Sequence, residues 1–154
     1  MKVAVGFDHA GFILRGTVLQ AVRDAGCEPI DLGTFSAEPV DFPVVTAEVG
    51  RLVQGGQAER GILVCGSGIG ACIAANKIKG VYASICHDTY SAAQGVVHDN
   101  MNVLCLGGRV VGSELASALV AAFLGAHYAG LQPGGDRFER RVAMIRNLEE
   151  KGTL

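Results

Sequence analysis

Short apolar runs rich in β-branched residues alternate with longer amphipathic segments from the first residue onward. The apolar runs predict five strands buried on both faces, at 2–6, 28–32, 61–65, 81–86 and 103–107. The segments between them predict helices at 12–25, 43–54, 71–77, 89–97 and 113–124, because Gly or Pro stands at most of their ends. This alternation favours an α/β fold, a three-layer sandwich around a five-stranded parallel sheet.

The last part of the chain predicts an extra helix. A glycine- and proline-rich break at 130–135 precedes a segment at 136–150 in which apolar residues recur at steps of four and three, namely Phe138, Val142, Ile145 and Leu148. Such a stripe needs a surface to cover. The helix can fold back on its own sheet or cross to a second subunit, and we expect it to pack at a subunit interface.

Composition and charge fit a single domain, 1–154. The chain has 154 residues, of which 49% are hydrophobic, and its net charge is -2. This charge gives no general attraction for a polyanion, so we expect no nucleic-acid partner. No apolar run approaches the ~18 to 20 uninterrupted residues of a membrane span, so we expect no membrane partner. Strand-like residues follow Met1 without a charged leader, so we expect a cytoplasmic protein.

The cysteines form an odd-numbered set without a Cys-x-x-Cys pair: Cys27, Cys65, Cys72, Cys86 and Cys105. This pattern argues against a disulfide framework and against a zinc knuckle. Free cysteine is usually a small buried hydrophobe, and we expect most of these thiols, Cys72 among them, to be core residues.

Polar or small residues follow four of the predicted strands. They are Asp8 and His9 after the first, Cys65 to Gly70 after the third, His87 and Asp88 after the fourth, and Gly108 and Arg109 after the fifth. In an open parallel sheet, ligands bind beyond the carboxyl ends of the strands. We therefore expect these groups to gather along one edge of the sheet.

The glycine-rich loop after the third strand is a candidate anion site. Gly66, Gly68 and Gly70 allow backbone N–H groups to turn toward one point at the start of a helix, although a plain tight turn would also use them. Gly66, Gly68 and Ala71 also satisfy the dinucleotide pattern GxGxxG/A, with Asp88 placed 22 residues beyond Gly66 as a ribose-binding acid. That alternative is weakened because the loop follows the third strand rather than the first.

Two phosphate motifs are excluded around Cys65. The chain has no Gly-Lys-Ser/Thr triplet of a Walker A loop, and the arginine that a cysteine phosphatase needs six residues after its cysteine is replaced by Ala71. A thiol beside a glycine loop and a helix start is expected to have its pKa lowered from about 8.5 toward neutrality. Cys65 is therefore a candidate base, with a plain core residue as the alternative.

Two further groups are candidate ligand contacts. His98, Asp99 and Asn100 are predicted to lie between a helix and the fifth strand, where they can reach a ligand or simply be solvated. Because His87, Asp88, His98 and Asp99 lack any usual ligand spacing, we expect no metal. Arg137 and Arg141 are four residues apart on the last helix, so they can grip one phosphate or form a solvated basic face.

Taken together, these motifs resemble the ribose-5-phosphate isomerase B family, which also includes galactose-6-phosphate isomerase subunits. The resemblance covers nearly the whole chain and rests on GFDHAG at 6–11, CGSGIG at 65–70, AANK at 74–77, HDTYSA at 87–92, LGGRVVG at 106–112 and the Arg137/Arg141 pair. It implies a Rossmann-like fold, a cofactor-free aldose–ketose isomerase of a phosphorylated sugar in the pentose phosphate pathway, and a homodimer or tetramer with active sites shared between subunits.

The resemblance also implies roles for individual residues. Cys65 matches the family's base, which moves a proton between C1 and C2 of the open-chain sugar, and His98 matches an acid that opens the furanose ring from the partner subunit. Ser67 and the backbone of Gly66, Gly68, Ile69 and Gly70 would hold the enediolate and the reacting oxygens. The remaining implied substrate contacts are Asp8, His9, Asp99, Asn100, Arg109, Arg137 and Arg141.

Departures from the family pattern leave the sugar open. Asp99 replaces the usual Asn after the histidine, and Phe42 stands where tyrosine is also common, while Ala71 in place of a glutamate indicates the cysteine branch. Ribose 5-phosphate is the first expectation, and allose, galactose or tetrose phosphates are alternatives. From other classes, a dinucleotide-binding protein and a non-catalytic sugar-phosphate-binding subunit stay open.

Overall fold

The computed structural model describes residues 1–154 and contains five strands and six α-helices. The strands are β1 Lys2–Phe7, β2 Glu28–Asp31, β3 Arg60–Cys65, β4 Ala83–Ile85 and β5 Val103–Gly107. The helices are α1 Arg15–Asp24, α2 Phe42–Gln54, α3 Ile69–Ala75, α4 Thr89–Asp99, α5 Ser113–Gly125 and α6 Asp136–Lys151. Short 3-10 helices cover Phe12–Leu14 and Ala129–Leu131. Each predicted element is present, so the predicted α/β fold is confirmed.

The sheet is parallel throughout, with the strand order β2-β1-β3-β5-β4. Chain order reverses at β1, because β2 lies on one side of it and β3 on the other. Ligands bind at such a switch point in open α/β sheets. The fold therefore places the ends of β1 and β3, with Asp8 and Cys65, at the expected position of a ligand.

The core has two layers, one on each face of the sheet. Successive side chains along β1 face opposite sides of the sheet. Val3, Val5 and Phe7 pack on the side of α1, α4 and α5, whereas Ala4 packs on the side of α2 and α3. All four side chains are fully buried. Small residues on the α2/α3 face, such as Ala4 and Ala71, let those helices approach the sheet closely.

Two predicted strands differ from the expectation of full burial. β2 and β4 are edge strands, and their residues are half-buried or exposed. β4 is only three residues long, because the backbone before it is bonded to a side chain: Asn102 Oδ1 accepts the N–H of Tyr82, and Asn102 Nδ2 donates to the carbonyl of Gly80. An apolar run does not reveal whether a strand lies at the centre or at the edge, because its neighbours are far away in sequence.

Only part of the apolar stripe predicted on helix α6 is buried. Phe138 and Val142 are buried at the α4 end, whereas Ile145 and Leu148 are 41% and 46% exposed. The C-terminal half is tied to the loop before β4, where the N–H of Gly80 donates to Glu149 at 2.8 Å. The helix thus folds back on its own chain and leaves half of its apolar face open.

Helix α5 belongs to the most apolar stretch of the chain. The segment Ser113–Leu131 has 19 residues and a mean hydropathy of 1.3, which is long and apolar enough to cross a membrane. The helix ends at Gly125, however, and Leu119, Val120 and Phe123 are fully buried against the sheet and its neighbours. Helix α5 is therefore a core helix of an α/β domain.

Candidate active site

Three loops meet at the carboxyl edge of the sheet, following β1, β3 and β5. The N–H of Asp8 donates to the carbonyl of Val64 at 3.0 Å. The N–H of Gly108 donates to the carbonyl of Cys65 at 2.7 Å, and that of Arg109 to Gly66 at 3.0 Å. These bonds fix the predicted substrate contacts Asp8 and Arg109 on either side of the glycine loop.

Glycine at two positions lets these loops touch backbone to backbone. A Cβ on Gly11 would overlap the carbonyl oxygen of Val64, and a Cβ on Gly108 would lie 2.6 Å from the carbonyl oxygen of Ala10. No other residue type permits this approach without moving the backbone. The motifs around Asp8 and Arg109 are therefore glycine-rich for reasons of packing.

Asp8 organises the loop after β1. It is only 6% exposed, and its Oδ1 accepts the N–H groups of Ala10 and Gly11, both at 2.8 Å. Its Oδ2 makes no hydrogen bond within the chain, so one carboxylate oxygen stays available for a ligand. The neighbouring His9 accepts the N–H of Val40 on its Nδ1 at 3.3 Å, which links this loop to the segment before α2.

Cys65 ends β3 and is 5% exposed. Its Sγ accepts the backbone N–H of Gly68 at 3.2 Å. Gly68 begins α3 in the left-handed conformation, with φ 84°, which glycine adopts readily. The turn that aims this N–H at the sulfur therefore depends on glycine at position 68.

The rest of the loop supplies free hydrogen-bond donors. The N–H groups of Gly66 and Ser67 have no acceptor within the chain, and Ser67 is exposed with its Oγ accepting the N–H of Ile69 at 3.3 Å. Unpaired N–H groups beside a sulfur suit a substrate that develops negative charge on oxygen. The predicted anion site at Gly66–Gly70 thus has a physical basis.

Phe42 forms one wall of this site, a contact that the sequence analysis did not predict. A Cβ on Gly70 would lie 2.7 Å from the Phe42 ring, so the aromatic ring packs directly on the loop. Phe42 is the first residue of α2, and its ring is half-buried. The place of Phe42 in the motif Asp41-Phe42-Pro43 singled it out, but no local signal joins it to Gly70.

His98 lies at the opposite edge of the sheet. Helix α4 begins near the carboxyl end of β4 and runs back to the amino end of the sheet. Shortly after the helix, the carbonyl of Asn102 accepts the N–H of Gly61 at the start of β3, which places the end of α4 beside the start of that strand. From Gly61 to Cys65 the strand spans ~13 Å at its usual rise per residue. One chain therefore does not bring the sulfur of Cys65 and the imidazole of His98 together.

The surroundings of His98 form a second group of candidate residues. His98 and Asp99 belong to the last turn of α4 rather than to a loop as expected, and Asn100 ends the helix in the left-handed conformation with φ 55°. The imidazole of His98 stacks on the ring of Phe138, with centroids 4.3 Å apart and an interplanar angle of 16°. The guanidinium carbon of Arg137 lies 4.5 Å from the centroid of the same Phe138 ring.

Two exposed arginines complete this second group. Arg137 and Arg141 lie one turn apart in the first half of α6, as predicted, and neither forms an ion pair within the chain. Guanidinium groups at this spacing bind phosphate oxygens well. The structure thus divides the predicted site residues between the two edges: Asp8, His9, Cys65 to Gly70 and Arg109 at one, and His98, Asp99, Asn100, Arg137 and Arg141 at the other.

Asp88 has a structural explanation. Its Oδ1 accepts the N–H of Ser91 at 2.7 Å and caps α4, and this backbone bond lowers the pKa of the Asp88 carboxyl. A cap explains an aspartate at this position without a bound ribose. His, Cys, Asp and Glu side chains nowhere gather in a group of three suited to a metal ion.

The other cysteines differ in environment. Cys86 and Cys105 are buried, whereas Cys27 and Cys72 are half-buried, and Cys72 packs at the margin of the core on the α2/α3 face. The neighbouring Cys105 thiol lowers the pKa of Cys72 to about 7. Its proximity to Cys72 and burial raise the pKa of Cys105, and burial raises that of Cys86 to about 11. Cys72 is thus the unusual thiol among these four.

Comparison with known proteins assigns the family. Residues 3–145 match the sequence profile described as Ribose/Galactose Isomerase. The chain is 43% identical over 150 residues to ribose-5-phosphate isomerase B of Escherichia coli (strain K12), covering 97% of each chain. It is also 37% identical over 134 residues to D-erythrulose-4-phosphate isomerase of Pectobacterium atrosepticum, covering 84% of this chain and 86% of the relative.

A solved structure agrees with this assignment. The type B ribose 5-phosphate isomerase of Trypanosoma brucei superposes with a TM-score of 0.89 at 42% sequence identity, over 94% of this chain and 96% of that one. Identity and coverage at this level show common ancestry along nearly the whole fold. The chain belongs to the ribose/galactose isomerase family, as its motifs indicated.

Proposed function

We propose that the protein is an aldose–ketose isomerase that interconverts ribose 5-phosphate and ribulose 5-phosphate, without cofactor or metal, in the pentose phosphate pathway of the cytoplasm. One observation carries the proposal: Cys65, at the end of β3, is followed directly by the unpaired N–H groups of Gly66 and Ser67, and its sulfur accepts the N–H of Gly68 in the same loop. A base beside an oxyanion cradle is what proton transfer next to a carbonyl requires. The 43% identity to the Escherichia coli enzyme supports this choice of sugar.

The proton moves between two neighbouring carbons. The Cys65 thiolate removes the proton from C2 of the open-chain aldose, the electrons of that bond form the C1–C2 double bond, and the carbonyl oxygen becomes an enediolate oxygen. The N–H groups of Gly66 and Ser67 hold that oxygen, and the Ser67 hydroxyl bonds the reacting oxygens. Return of the proton to C1, with a proton shift between the two oxygens, gives the ketose and restores the thiolate.

The proposed site is completed by a second copy of the chain. His98 is the acid that opens the furanose ring, and it lies at the edge of the sheet remote from Cys65 of its own chain. A homodimer that pairs the two edges would bring the imidazole to the partner's thiol, with Arg137 and Arg141 on the phosphate and Asn100 near the sugar hydroxyls. Asp8, His9 and Arg109 of the thiol-bearing chain supply the remaining contacts, and a tetramer of such dimers keeps the same site.

A different phosphorylated sugar is the second candidate. Asp99 places a carboxylate where the family pattern has an amide, and Phe42 gives the loop an aromatic wall without a hydroxyl. Both changes alter which hydroxyl pattern the site accepts. One relative is a D-erythrulose-4-phosphate isomerase, so tetrose phosphates belong in the substrate panel with allose 6-phosphate and galactose 6-phosphate.

The direct test is the conversion of ribose 5-phosphate to ribulose 5-phosphate by the purified chain with EDTA present and no cofactor added. Turnover that exceeds turnover of the other sugar phosphates supports the proposal. Turnover of a tetrose or hexose phosphate alone favours the second candidate. No turnover of any of them by the chain alone contradicts both, and points to a non-catalytic subunit that needs a different partner.

A further inference from the structure

Gln94 contacts the side chain of His98 directly. The two residues are four apart on α4, so their side chains lie on one face of the helix. The amide Nε2 of Gln94 lies 2.7 Å from Nδ1 of His98, and this is the one side-chain hydrogen bond that His98 makes within the chain. The contact is part-buried, so water competes with it less than at an open surface.

The direction of this bond decides where the imidazole carries its proton. An amide NH₂ group only donates, so Nδ1 of His98 must accept. A neutral imidazole whose Nδ1 accepts carries its single proton on Nε2. The Nε2–H has no acceptor within the chain and can donate a hydrogen bond to a substrate oxygen.

Phe138 fixes the plane of the same ring. It is 8% exposed, and it is anchored in α6 beside the fully buried Val142. Its ring stacks on the imidazole at 4.3 Å with 16° between the planes, so rotation of the imidazole about χ2 would break the stack. A hydrogen bond at Nδ1 and a stacked face together leave the imidazole one orientation.

We infer that Gln94 and Phe138 are positioning residues that hold His98 with its proton on Nε2, where it can donate a hydrogen bond to the ring oxygen of a cyclic sugar phosphate as the ring opens. The inference rests on the proposed function for the role of His98, but not for the tautomer. Neither residue touches the substrate. Both act by keeping the imidazole in one tautomer and one orientation, so that its hydrogen bond to the ring oxygen is in place before the transition state is reached.

Long-range ¹⁵N–¹H spectra of the ¹⁵N-labelled protein, recorded over a series of pH values that includes the neutral imidazole, test the tautomer directly. His98 is assigned among the four histidines by the signals that His98→Asn removes. The wild type should show Nε2–H, and Gln94→Glu should move the proton to Nδ1, because a carboxylate only accepts. Nδ1–H in the wild type, or His98 signals unchanged by Gln94→Glu, would overturn the inference.

Phe138→Leu tests the stack. The imidazole protons of His98 should lose the upfield shift that a facing aromatic ring produces, whereas Phe138→Tyr should keep that shift. Phe138→Tyr keeps the aromatic ring, so we expect this variant to fold even if Phe138→Leu does not. An unchanged shift in a folded Phe138→Leu protein would contradict the positioning role of Phe138.

Kinetics then connect the tautomer to the reaction. Gln94→Leu should lower kcat for ribose 5-phosphate about 10-fold with little change in KM, a part of the 10²–10⁴-fold that general acids contribute. Gln20→Leu is the matched control, because Gln20 also bonds a residue four positions on, Asp24, at 2.8 Å on the exposed face of α1. Equal effects of the two substitutions would overturn the inference. Wild-type protein that turns over no sugar phosphate would instead defeat the proposed function, and the spectra would still decide the tautomer.

Discussion

Cys65 and His98 lie at opposite edges of the parallel sheet, separated by the length of β3. Each edge carries half of the chemistry that a cyclic sugar phosphate needs. The sulfur and the free N–H groups suit proton transfer at an open-chain carbonyl, and the imidazole and the arginines suit ring opening and phosphate binding. Our proposal that both groups act on one sugar therefore requires a site formed by two chains.

Removal of the sulfur should abolish proton transfer and leave the fold intact. Cys65→Ala should lower kcat for ribose 5-phosphate by about 10²–10⁴-fold, the usual contribution of a positioned base. Steady-state kinetics and the far-UV circular dichroism spectrum check this together. Cys27→Ala is the control, because Cys27 is half-buried beside α1 and remote from the loop. Full turnover by a folded Cys65→Ala protein would remove Cys65 from the mechanism.

Glycine at position 11 should be required by packing. Gly11→Ala adds a methyl group against the carbonyl of Val64, and overlap with backbone in a packed site should cost about 1–3 kcal/mol of the free energy of unfolding. Gly16→Ala is the matched control: it lies in α1 with no atom within 4 Å of its added methyl, and should stabilise by about 0.5–1 kcal/mol. Urea unfolding midpoints compare the two, and equal midpoints would contradict the close approach of the loops.

The thiol of Cys72 should react at neutral pH. Its pKa is lowered to about 7, chiefly by the neighbouring Cys105 thiol, so the thiolate fraction and the alkylation rate should rise as the pH passes through about 7. Cys86, with its pKa raised to about 11, should stay unreactive. Iodoacetamide labelling followed by peptide mass spectrometry measures each rate against pH.

A variant of Cys105 separates this cause from simple exposure. Cys105→Ala removes the thiol that lowers the pKa of Cys72, so the midpoint of Cys72 labelling should move up toward that of an ordinary cysteine. Cys105→Ser keeps a donor and should hold the midpoint close to that of the wild type. A midpoint that does not move in Cys105→Ala would show that another group lowers the pKa.

Asp99 should weaken binding of an anionic substrate. It is exposed in the last turn of α4, next to the residues proposed to contact the phosphorylated sugar. Asp99→Asn removes a negative charge and restores an amide, so KM for ribose 5-phosphate should fall about two- to five-fold at low salt, as expected for an exposed charge. Asp24→Asn, on α1, is the control for charge alone. An increase in KM would instead mean that the carboxylate accepts a bond from a sugar hydroxyl.

Local patterns predicted much of this fold because each pattern has a local cause. The strands around Val5 and Val64 are continuous apolar runs, and the glycine loop after Cys65 must lie at the carboxyl edge once the sheet is parallel. The cap of Asp88 on Ser91 and the Gln94–His98 pair also have local spacing signals that the sequence analysis passed over.

Other features depend on contacts between distant parts of the chain. The half-burial of β2 and β4 follows from their places at the sheet edges, and the packing of Phe42 on Gly70 joins α2 to the loop after β3. None of these is a property of the residues' immediate neighbours in sequence.

Complementation between two inactive variants tests the shared site most directly. Cys65→Ala and His98→Ala chains carrying different affinity tags are co-expressed, and the mixed dimer is isolated by two successive affinity steps. One of its two sites then has both an intact thiol and an intact imidazole, so it should isomerise ribose 5-phosphate at about half the wild-type rate per dimer. A mixed dimer no more active than its two parents would contradict a site built from both edges.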